Sequence, residues 1–284
     1  MVATPIGNLA DITLRALHVL QLVDALACED TRHTQSLLRA YGIDHSPSSL
    51  IALHQHNESE AAAALIDRLN LGQRVAYVSD AGTPAISDPG ARLVAAVHQA
   101  GLPVIPLPGA SSITTLLSVA GARTDTEPAG FVFAGFLPSK ASDRQAALKA
   151  LAKEARPVVL LEAPHRIEDL ARALAILGER PVTIGRELTK QYEEVCLLRA
   201  DAVSRWLSEK PQRSRGEFVL LVHPQPSTHH RSEDQVQPSS HQLLKLLLAE
   251  LPHKTAVRLV AEFTNEPRNA LYETALKLKQ DQKV

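Results

Sequence analysis

RVAYVSDAGTPAISDPG, residues 74–90, is the stretch of this chain that decides its fold class. An apolar run from Val75 to Val78 predicts a buried strand, and the loop after it is rich in turn formers. Two Pro and two Gly shape that loop, so a ligand can approach its backbone closely. Asp80 and Asp88 lie at the carboxyl end of the strand, where open α/β sheets bind ligands. An ordinary strand-to-helix connection has a similar composition, so the loop alone favours a site without defining one.

Outward from this stretch, short apolar runs alternate with helical patterns. Strands are predicted at residues 25–28, 51–53, 75–79 and 104–106, with a further short one at 1–4. Helices are predicted at residues 13–23, 32–41, 58–69 and 91–100. Alternation of this kind is typical of βαβ units, in which helices cover a mostly parallel sheet. The sequence therefore predicts a first α/β domain over residues 1–122.

The same rhythm restarts and predicts a second α/β domain over residues 123–224. Its strands are predicted at residues 131–134, 158–162, 182–186, 195–198 and 218–222, and its helices at 142–154 and 165–177. Residues 225–240 are polar, which is typical of a linker. Residues 241–284 predict three short helices with a tight turn before the third. This outline resembles a helix-turn-helix, although a small capping bundle has the same pattern.

The composition restricts the classes of protein that fit. A formal net charge of −1 over 284 residues neither favours nor opposes a nucleic-acid partner. Cys28 and Cys196 lie far apart in apolar runs, which argues against a disulfide framework. The sequence shows no signal-peptide pattern and no apolar run near the roughly 20 residues of a membrane span. We therefore expect a cytoplasmic protein without a membrane contact.

Three more strand ends carry small, polar or charged residues. They read EDTRHT at residues 29–34, HQHNE at 54–58 and PLPGASS at 106–112, and TPIGNL at 4–9 follows the short first strand. Because the carboxyl ends of parallel strands meet at one edge of a sheet, we expect a cleft there. The second domain is expected to close over that cleft.

Two common kinds of site are not predicted. His54 and His56 have the spacing of a metal-binding pair, but no third ligand is nearby, so no metal is expected. The chain has neither a G-x-G-x-x-G nor a G-K-[ST] string, so nucleotide binding by those mechanisms is not supported.

In their order along the chain, these strings resemble the tetrapyrrole-methylase superfamily. The matching strings are TPIGNLADIT (4–13), EDTRHT (29–34), HQHNE (54–58), VSDAGTPAISDPG (78–90), PLPG (106–109), GFLPSK (135–140), EAPHR (162–166), RELTK (186–190) and GEFVLLV (216–222). More narrowly, the chain is similar to the bacterial branch that methylates the 2′-hydroxyl of a cytidine in the decoding region of 16S ribosomal RNA. The resemblance covers essentially the whole chain, including the helical tail.

The resemblance implies a class III methyltransferase fold. It has a mostly parallel N-terminal sheet, a mixed second sheet and, here, a C-terminal helix-turn-helix-like segment. S-adenosylmethionine is expected in the cleft between the two α/β domains, and family members are usually homodimers. The cofactor-binding residues that the resemblance implies are Ala81, Gly82, Thr83, Ile86, Ser111, Ser112, Glu162 and Leu188. Leu161 stands where relatives often have an aromatic residue, so one wall of the pocket is expected to be looser.

Methyl transfer to a ribose hydroxyl requires alignment behind the methyl carbon and a group that accepts the hydroxyl proton. The candidates for that base are Glu29, Asp30, His56 and Asp88, of which Asp88 and Glu29 are favoured. The residues expected to contact RNA are Asp30, Arg32, His56, Asn57, Lys140, Arg166 and Lys190. The helical tail is expected to dock on the small ribosomal subunit.

Two other functions stay open at the level of sequence. The first is methylation of a small tetrapyrrole, as in much of the superfamily. Tetrapyrrole enzymes carry Gly-Asp-Pro where this chain has Gly82-Thr83-Pro84, which argues against that substrate. The second is a non-catalytic ribosome assembly factor with a vestigial cofactor pocket.

Overall fold

The structure, a computed structural model, describes residues 1–54, 57–88, 90–122, 128–224, 240–264 and 267–281. The chain divides into two compact units, Met1–Pro226 and Ser227–Val284. Both predicted α/β domains fall within the first unit, so their boundary at residue 122 stays a prediction. The predicted linker, residues 225–240, lies outside the described residues except for Ser240.

The first sheet of the larger unit has three parallel strands, as the βαβ pattern predicts. They are β1 (Ala25–Cys28), β2 (Leu50–Ala52) and β3 (Val75–Val78), in the order β2-β1-β3. The helices that alternate with them are α1 (Leu14–Leu22), α2 (Thr31–Ala40), α3 (Glu58–Asn70) and α4 (Gly90–Gln99). β1 is buried along its whole length because helices pack on both of its faces.

The predicted strand at residues 104–106 is wrong, because only an isolated bridge forms there, between Val2 and Leu107. Pro103 and Pro106 have no N–H to donate to a ladder, which explains why pairing does not extend. The segment at residues 1–4 is likewise short of a full strand. It is held by a hydrogen bond from Val2 N to Tyr77 O of 2.9 Å and one from Leu107 N to Met1 O of 2.9 Å. Helix α5 (Ser112–Ala120) follows.

The second sheet is mixed, as expected. Its strands are β4 (Val132–Phe136), β5 (Val158–Glu162), β6 (Pro181–Arg186), β7 (Glu194–Arg199) and β8 (Phe218–Val222), in the order β4-β5-β8-β6-β7. β4 and β5 are parallel, and the other pairs are antiparallel. Its helices are α6 (Ala141–Leu151), α7 (Ile167–Leu174) and α8 (Val203–Ser208), the last of which the sequence did not predict.

The two faces of this second sheet pack against different partners. Val158 and Leu160 of β5 belong to the core formed with α6, α7 and α8. Val159 and Leu161, which alternate with them, belong to the core that contains Leu116 of α5. Helix α5 therefore joins the two α/β halves, since it follows the first sheet in the chain and packs on the second.

The smaller unit is a three-helix bundle, as the apolar spacing predicts. Its helices are α9 (Ser240–Glu250), α10 (His253–Thr264) and α11 (Arg268–Asp281). Leu244, Val260 and Ala275, one from each helix, are fully buried at its centre. Over the described residues, no helix is long and apolar enough to cross a membrane.

Candidate functional site

A cleft opens where β1 and β3 end and α5 begins. Its lining consists of Ile6, Glu29, Ser79, Asp80, Ala81, Gly82, Thr83, Ile86, Ser87, Asp88, Ser111, Ser112, Ile113 and Leu161. Eight of the residues that the sequence singled out for cofactor binding or catalysis are therefore gathered in one place. Leu161 brings a side chain of the second sheet into the same wall.

The floor of the cleft is backbone of the loop after β3. Gly82 exchanges two hydrogen bonds with Thr4, each of 3.0 Å, so the first loop of the chain clamps this one. The φ angle of Gly82 is +79°, and a Cβ there would lie 3.2 Å from Ile6 Cγ2. Thr83 Oγ1 donates to Ala110 O at 3.0 Å, which ties the loop to the entrance of α5. A residue with a side chain at position 82 would strain the backbone and narrow the cleft.

Asp88, one of the two favoured catalytic carboxylates, is engaged by its own loop. Its Oδ1 accepts hydrogen bonds from Tyr77 Oη at 3.0 Å and from Gly90 N at 2.8 Å. Its Oδ2 accepts one from Ala85 N at 2.8 Å. Ala85 has a φ angle of +69°, a strained value for a residue with a Cβ, which this bond helps to hold. Asp88 thus fixes the shape of the loop, and its catalytic role stays a prediction.

Glu29, the other favoured carboxylate, lies at the end of β1 and lines the cleft. Burial raises its pKa, and the nearby charges of Asp80 and Asp88 raise it further. Asp80 itself accepts a hydrogen bond from Asp30 N at 3.2 Å, which links the ends of β1 and β3. A half-buried carboxylate with a raised pKa is a stronger base than an exposed one, which suits proton abstraction.

The beginning of α5 forms another part of the cleft wall. Ser111 is the N-cap residue, with extended backbone and no hydrogen bond from its side chain to the helix. Ser112 is the first helical residue, and both serines line the cleft. The first N–H groups of a helix lack intrahelical acceptors, so this wall offers hydrogen-bond donors to a ligand.

Glu162 and Leu188, which were also expected to bind the cofactor, do not line the cleft. Glu162 ends β5 on the face opposite Leu161, where its buried carboxylate lies 3.0 Å from Arg166 Nε. Burial raises the pKa of Glu162, and Arg166 partly opposes that effect. Leu188 is buried in the core that α5 forms with the second sheet. A contact of either residue with a ligand stays a prediction, and for Glu162 it would have to come from the backbone.

Two of the residues expected to contact RNA, Arg32 and Lys140, are exposed. Arg32 leaves 90% of its side chain exposed and pairs with Asp30, the N-cap residue of α2, at 2.8 Å. Lys140, at the start of α6, is 76% exposed, and its nearest carboxylate is Asp143 at 3.9 Å. Both cations are exposed to solvent at the surface of the larger unit, where phosphates could reach them, although Arg32 is already paired with Asp30.

The other residues expected to contact RNA are engaged within the fold. Arg166 binds Glu162 and donates to Leu137 O. Asn57 Oδ1 accepts from His54 N at 2.8 Å, and its Nδ2 donates to Ala52 O at 2.9 Å. Their engagement gives these residues a structural role, and RNA contact stays a prediction for them.

Lys190 is also engaged, since it binds Glu187 at 2.8 Å and Glu217 at 3.1 Å. Its side chain packs over the first loop of the chain, where a Cβ on Gly7 would lie 2.4 Å from Lys190 Cγ. Its RNA contact also stays a prediction. His56 lies outside the described residues.

Sequence reasoning missed four residues of the lining, namely Ile6, Ser79, Ser87 and Ile113. Each of them lies within or next to a string that was selected from the sequence. The sequence therefore predicted the loops that form the cleft, but not which of their side chains line it. Among the described residues, no three His, Cys, Asp or Glu side chains are arranged to hold a metal ion.

Comparisons with known proteins extend over nearly the whole chain. Residues 1–203 match the family model described as Tetrapyrrole (Corrin/Porphyrin) Methylases, and residues 234–279 match the RsmI C-terminal HTH domain. Ribosomal RNA small subunit methyltransferase I of Escherichia coli O157:H7 is 46% identical over 97% of this chain and 93% of that protein. The protein of the same name from Haemophilus influenzae is 43% identical over 97% and 95%.

Among solved structures, uroporphyrin-III C-methyl transferase from Thermus thermophilus, complexed with S-adenyl homocysteine, has a TM-score of 0.51. The match covers 78% of this chain and 95% of that one at 19% identity. At that identity the likeness concerns the fold alone.

Proposed function

This chain belongs to the tetrapyrrole (corrin/porphyrin) methylase family, and from that premise we propose that it methylates 16S ribosomal RNA with S-adenosylmethionine as the donor. The target proposed is the 2′-oxygen of a cytidine ribose in the decoding region. One observation carries the proposal: a relative named ribosomal RNA small subunit methyltransferase I is 46% identical over 97% of the chain. This likeness extends over 97% of the chain, whereas the solved uroporphyrin-III C-methyl transferase matches 78% of it, and the tail at residues 234–279 matches the RsmI C-terminal HTH domain.

The cleft has features that fit this cofactor, which supplies a methyl group on a positively charged sulfur when it is bound. Three carboxylates, those of Glu29, Asp80 and Asp88, line it, and a concentration of negative charge favours a cationic ligand. The Gly82 backbone leaves room that a Cβ would fill, since that atom would lie 3.2 Å from Ile6 Cγ2. Ser111 offers a hydroxyl that does not cap its own helix.

Glu29 is the residue that we assign to the proton of the ribose hydroxyl. Burial raises the pKa of Glu29 above its ordinary value, which makes it a better proton acceptor than an exposed glutamate. Asp88 already accepts three hydrogen bonds from its loop. The hydroxyl proton would pass to a Glu29 oxygen as the hydroxyl oxygen bonds to the methyl carbon, while the carbon–sulfur bond of the donor breaks and its electron pair stays on the neutral thioether sulfur. General base catalysis of this kind contributes about 10²- to 10⁴-fold to a rate.

The C-terminal unit is proposed to bind the small subunit. Lys254, Arg258 and Arg268 are exposed on its helices, and the two arginines share one carboxylate, Glu262, at 3.8 and 3.3 Å. This group carries a net positive charge, which suits RNA phosphates. A homodimer, as in the family generally, is proposed alongside it and would show as twice the chain mass in sedimentation equilibrium.

The decisive experiment is methyl transfer from labelled S-adenosylmethionine to unmethylated small ribosomal subunits. The RNA is then digested to nucleosides and separated, and the label is expected in 2′-O-methylcytidine. Label on a base, or on another nucleoside, would contradict the proposed target. Absence of S-adenosylmethionine binding in calorimetry would favour the assembly-factor alternative. Transfer of label to a tetrapyrrole in a parallel incubation would favour the tetrapyrrole methyltransferase.

A further inference from the structure

The GFLPSK string has no role in the proposed chemistry, yet it places an exposed aromatic ring beside the cleft. Phe136 is the last residue of β4 and is 51% exposed, although aromatic side chains are normally buried. β4 is an edge strand, and Phe136 is the register partner of Leu161, which lines the cleft. Neighbouring strands are about 5 Å apart, so Phe136 extends that wall outward.

A β-bulge brings Phe136 to this face of the sheet. In a regular strand, side chains alternate between faces, so residues three apart point in opposite directions. Phe133 pairs with Val159 and Phe136 with Leu161, so β4 has one residue more than β5 between these pairs. Gly135, with a φ angle of +64°, supplies the bulge. Without it, Phe136 would point to the opposite face, away from Leu161.

The residues after the bulge fix this arrangement. Leu137 is 5% exposed and is buried in the core on the other face of the sheet. Its carbonyl accepts a hydrogen bond from Arg166, which in turn binds the buried Glu162 at 3.0 Å. These contacts hold the backbone that carries Phe136, while about half of its side chain stays exposed to solvent.

A cation lies close in the chain to this ring. Lys140 is 76% exposed and is the N-cap residue of α6, four residues after Phe136. An exposed aromatic ring with an exposed cation four residues later in the chain suits a nucleotide, because bases stack on aromatic rings and phosphates pair with cations.

We propose that Phe136 is a stacking platform for an unpaired base of the RNA substrate at the mouth of the cleft. Lys140 contacts the phosphate backbone next to that base. This inference rests on the proposed function and deepens it, since it identifies the substrate as RNA with a splayed, single-stranded segment.

The test uses the full-length chain and measures methyl transfer to unmethylated small ribosomal subunits at saturating S-adenosylmethionine. Phe136→Ala is expected to raise the KM for subunits about ten-fold, equivalent to about 1.4 kcal/mol, with kcat within about two-fold of wild type. Phe136→Tyr retains a stacking ring and is expected to stay within about two-fold in KM. Phe136→Leu keeps an apolar side chain without a ring and is expected to behave like the Ala variant.

Phe131→Ala is the matched control. Phe131 precedes the other end of β4 and is 40% exposed, so its removal costs similar apolar surface far from the cleft. Its KM is expected to equal that of wild type. Calorimetry with S-adenosylmethionine is expected to give the same Kd for all these variants, which shows that the cleft is intact.

Two results overturn the inference. If Phe136→Ala methylates subunits with unchanged KM, or if Leu substitutes as well as Tyr, no base stacks on this ring, although the proposed function stands. If the wild-type protein binds S-adenosylmethionine and never labels RNA, the proposed function fails and the inference fails with it.

Discussion

Asp88→Asn separates a loop-shaping carboxylate from a catalytic one. In the structure Asp88 Oδ1 accepts hydrogen bonds from Tyr77 Oη and Gly90 N, while Oδ2 accepts one from Ala85 N at 2.8 Å. An asparagine can keep its oxygen on the first pair, but its NH₂ group then faces the N–H of Ala85, and two donors cannot bond. The substitution therefore loses one charge-assisted hydrogen bond, which is worth about 1.5–3 kcal/mol.

That loss acts on the loop that forms the floor of the cleft. If all of it appears as a lower population of the binding-competent loop, the Kd for S-adenosylmethionine rises by roughly 10- to 150-fold, which is the upper limit. At saturating cofactor and saturating subunits, kcat is expected to stay within about three-fold of wild type. Calorimetry gives the Kd, and transfer of label to small subunits gives kcat. A kcat lower by about 10²-fold or more with an unchanged Kd would identify Asp88 as the general base and refute the loop assignment.

Three further predictions concern the same unit and its tail. Ala85→Gly relieves a positive φ angle of +69° and is expected to stabilise the protein by up to about 1 kcal/mol in urea unfolding, whereas Ala81→Gly, at a neighbouring position without a positive φ angle, is expected to destabilise it. Glu29→Gln is expected to lower kcat by about 10²- to 10⁴-fold and to flatten the rise of rate with pH. Because burial raises the pKa of Glu29, its ionised form destabilises the fold above that pKa. Glu29→Gln is therefore expected to have a higher Tm than wild type at pH 8, but the same Tm below about pH 4, where glutamate and glutamine at this position are both neutral. An unchanged Tm at pH 8 would contradict this reasoning. Truncation after Pro226, the end of the larger unit, is expected to weaken subunit binding and leave cofactor affinity intact, so a folded truncation that no longer binds cofactor would contradict the division of roles.

The periodicity of the sequence was sufficient to predict most elements and the location of the cleft. Period-2 and period-3.6 patterns depend on neighbours along the chain, which is why the βαβ alternation and the polar strand ends could be recognised without a structure. The strand predicted at residues 104–106 does not form, and the cause is local. Apolar character predicts burial, but Pro103 and Pro106 have no backbone N–H to donate to the hydrogen bonds of a sheet.

The roles of individual side chains were a different matter. Asp80 and Asp88 cannot be told apart in the sequence. Only the folded loop shows that the Asp88 carboxylate accepts three hydrogen bonds. Alternation along β5 predicts that Leu160 and Glu162 share a face, but not that the cleft lies on the other one. That depends on where α5 packs, which is a long-range contact.

The sequence by itself therefore determined the fold family, the strand-end loops and the residues near the cleft, because these follow from local pattern and from resemblance. Tertiary structure decided which carboxylate stays available, which face of the second sheet meets the cleft, and that Gly135 turns Phe136 toward it. Register and hydrogen-bond partners join residues that are distant in the chain, and no local pattern contains that information.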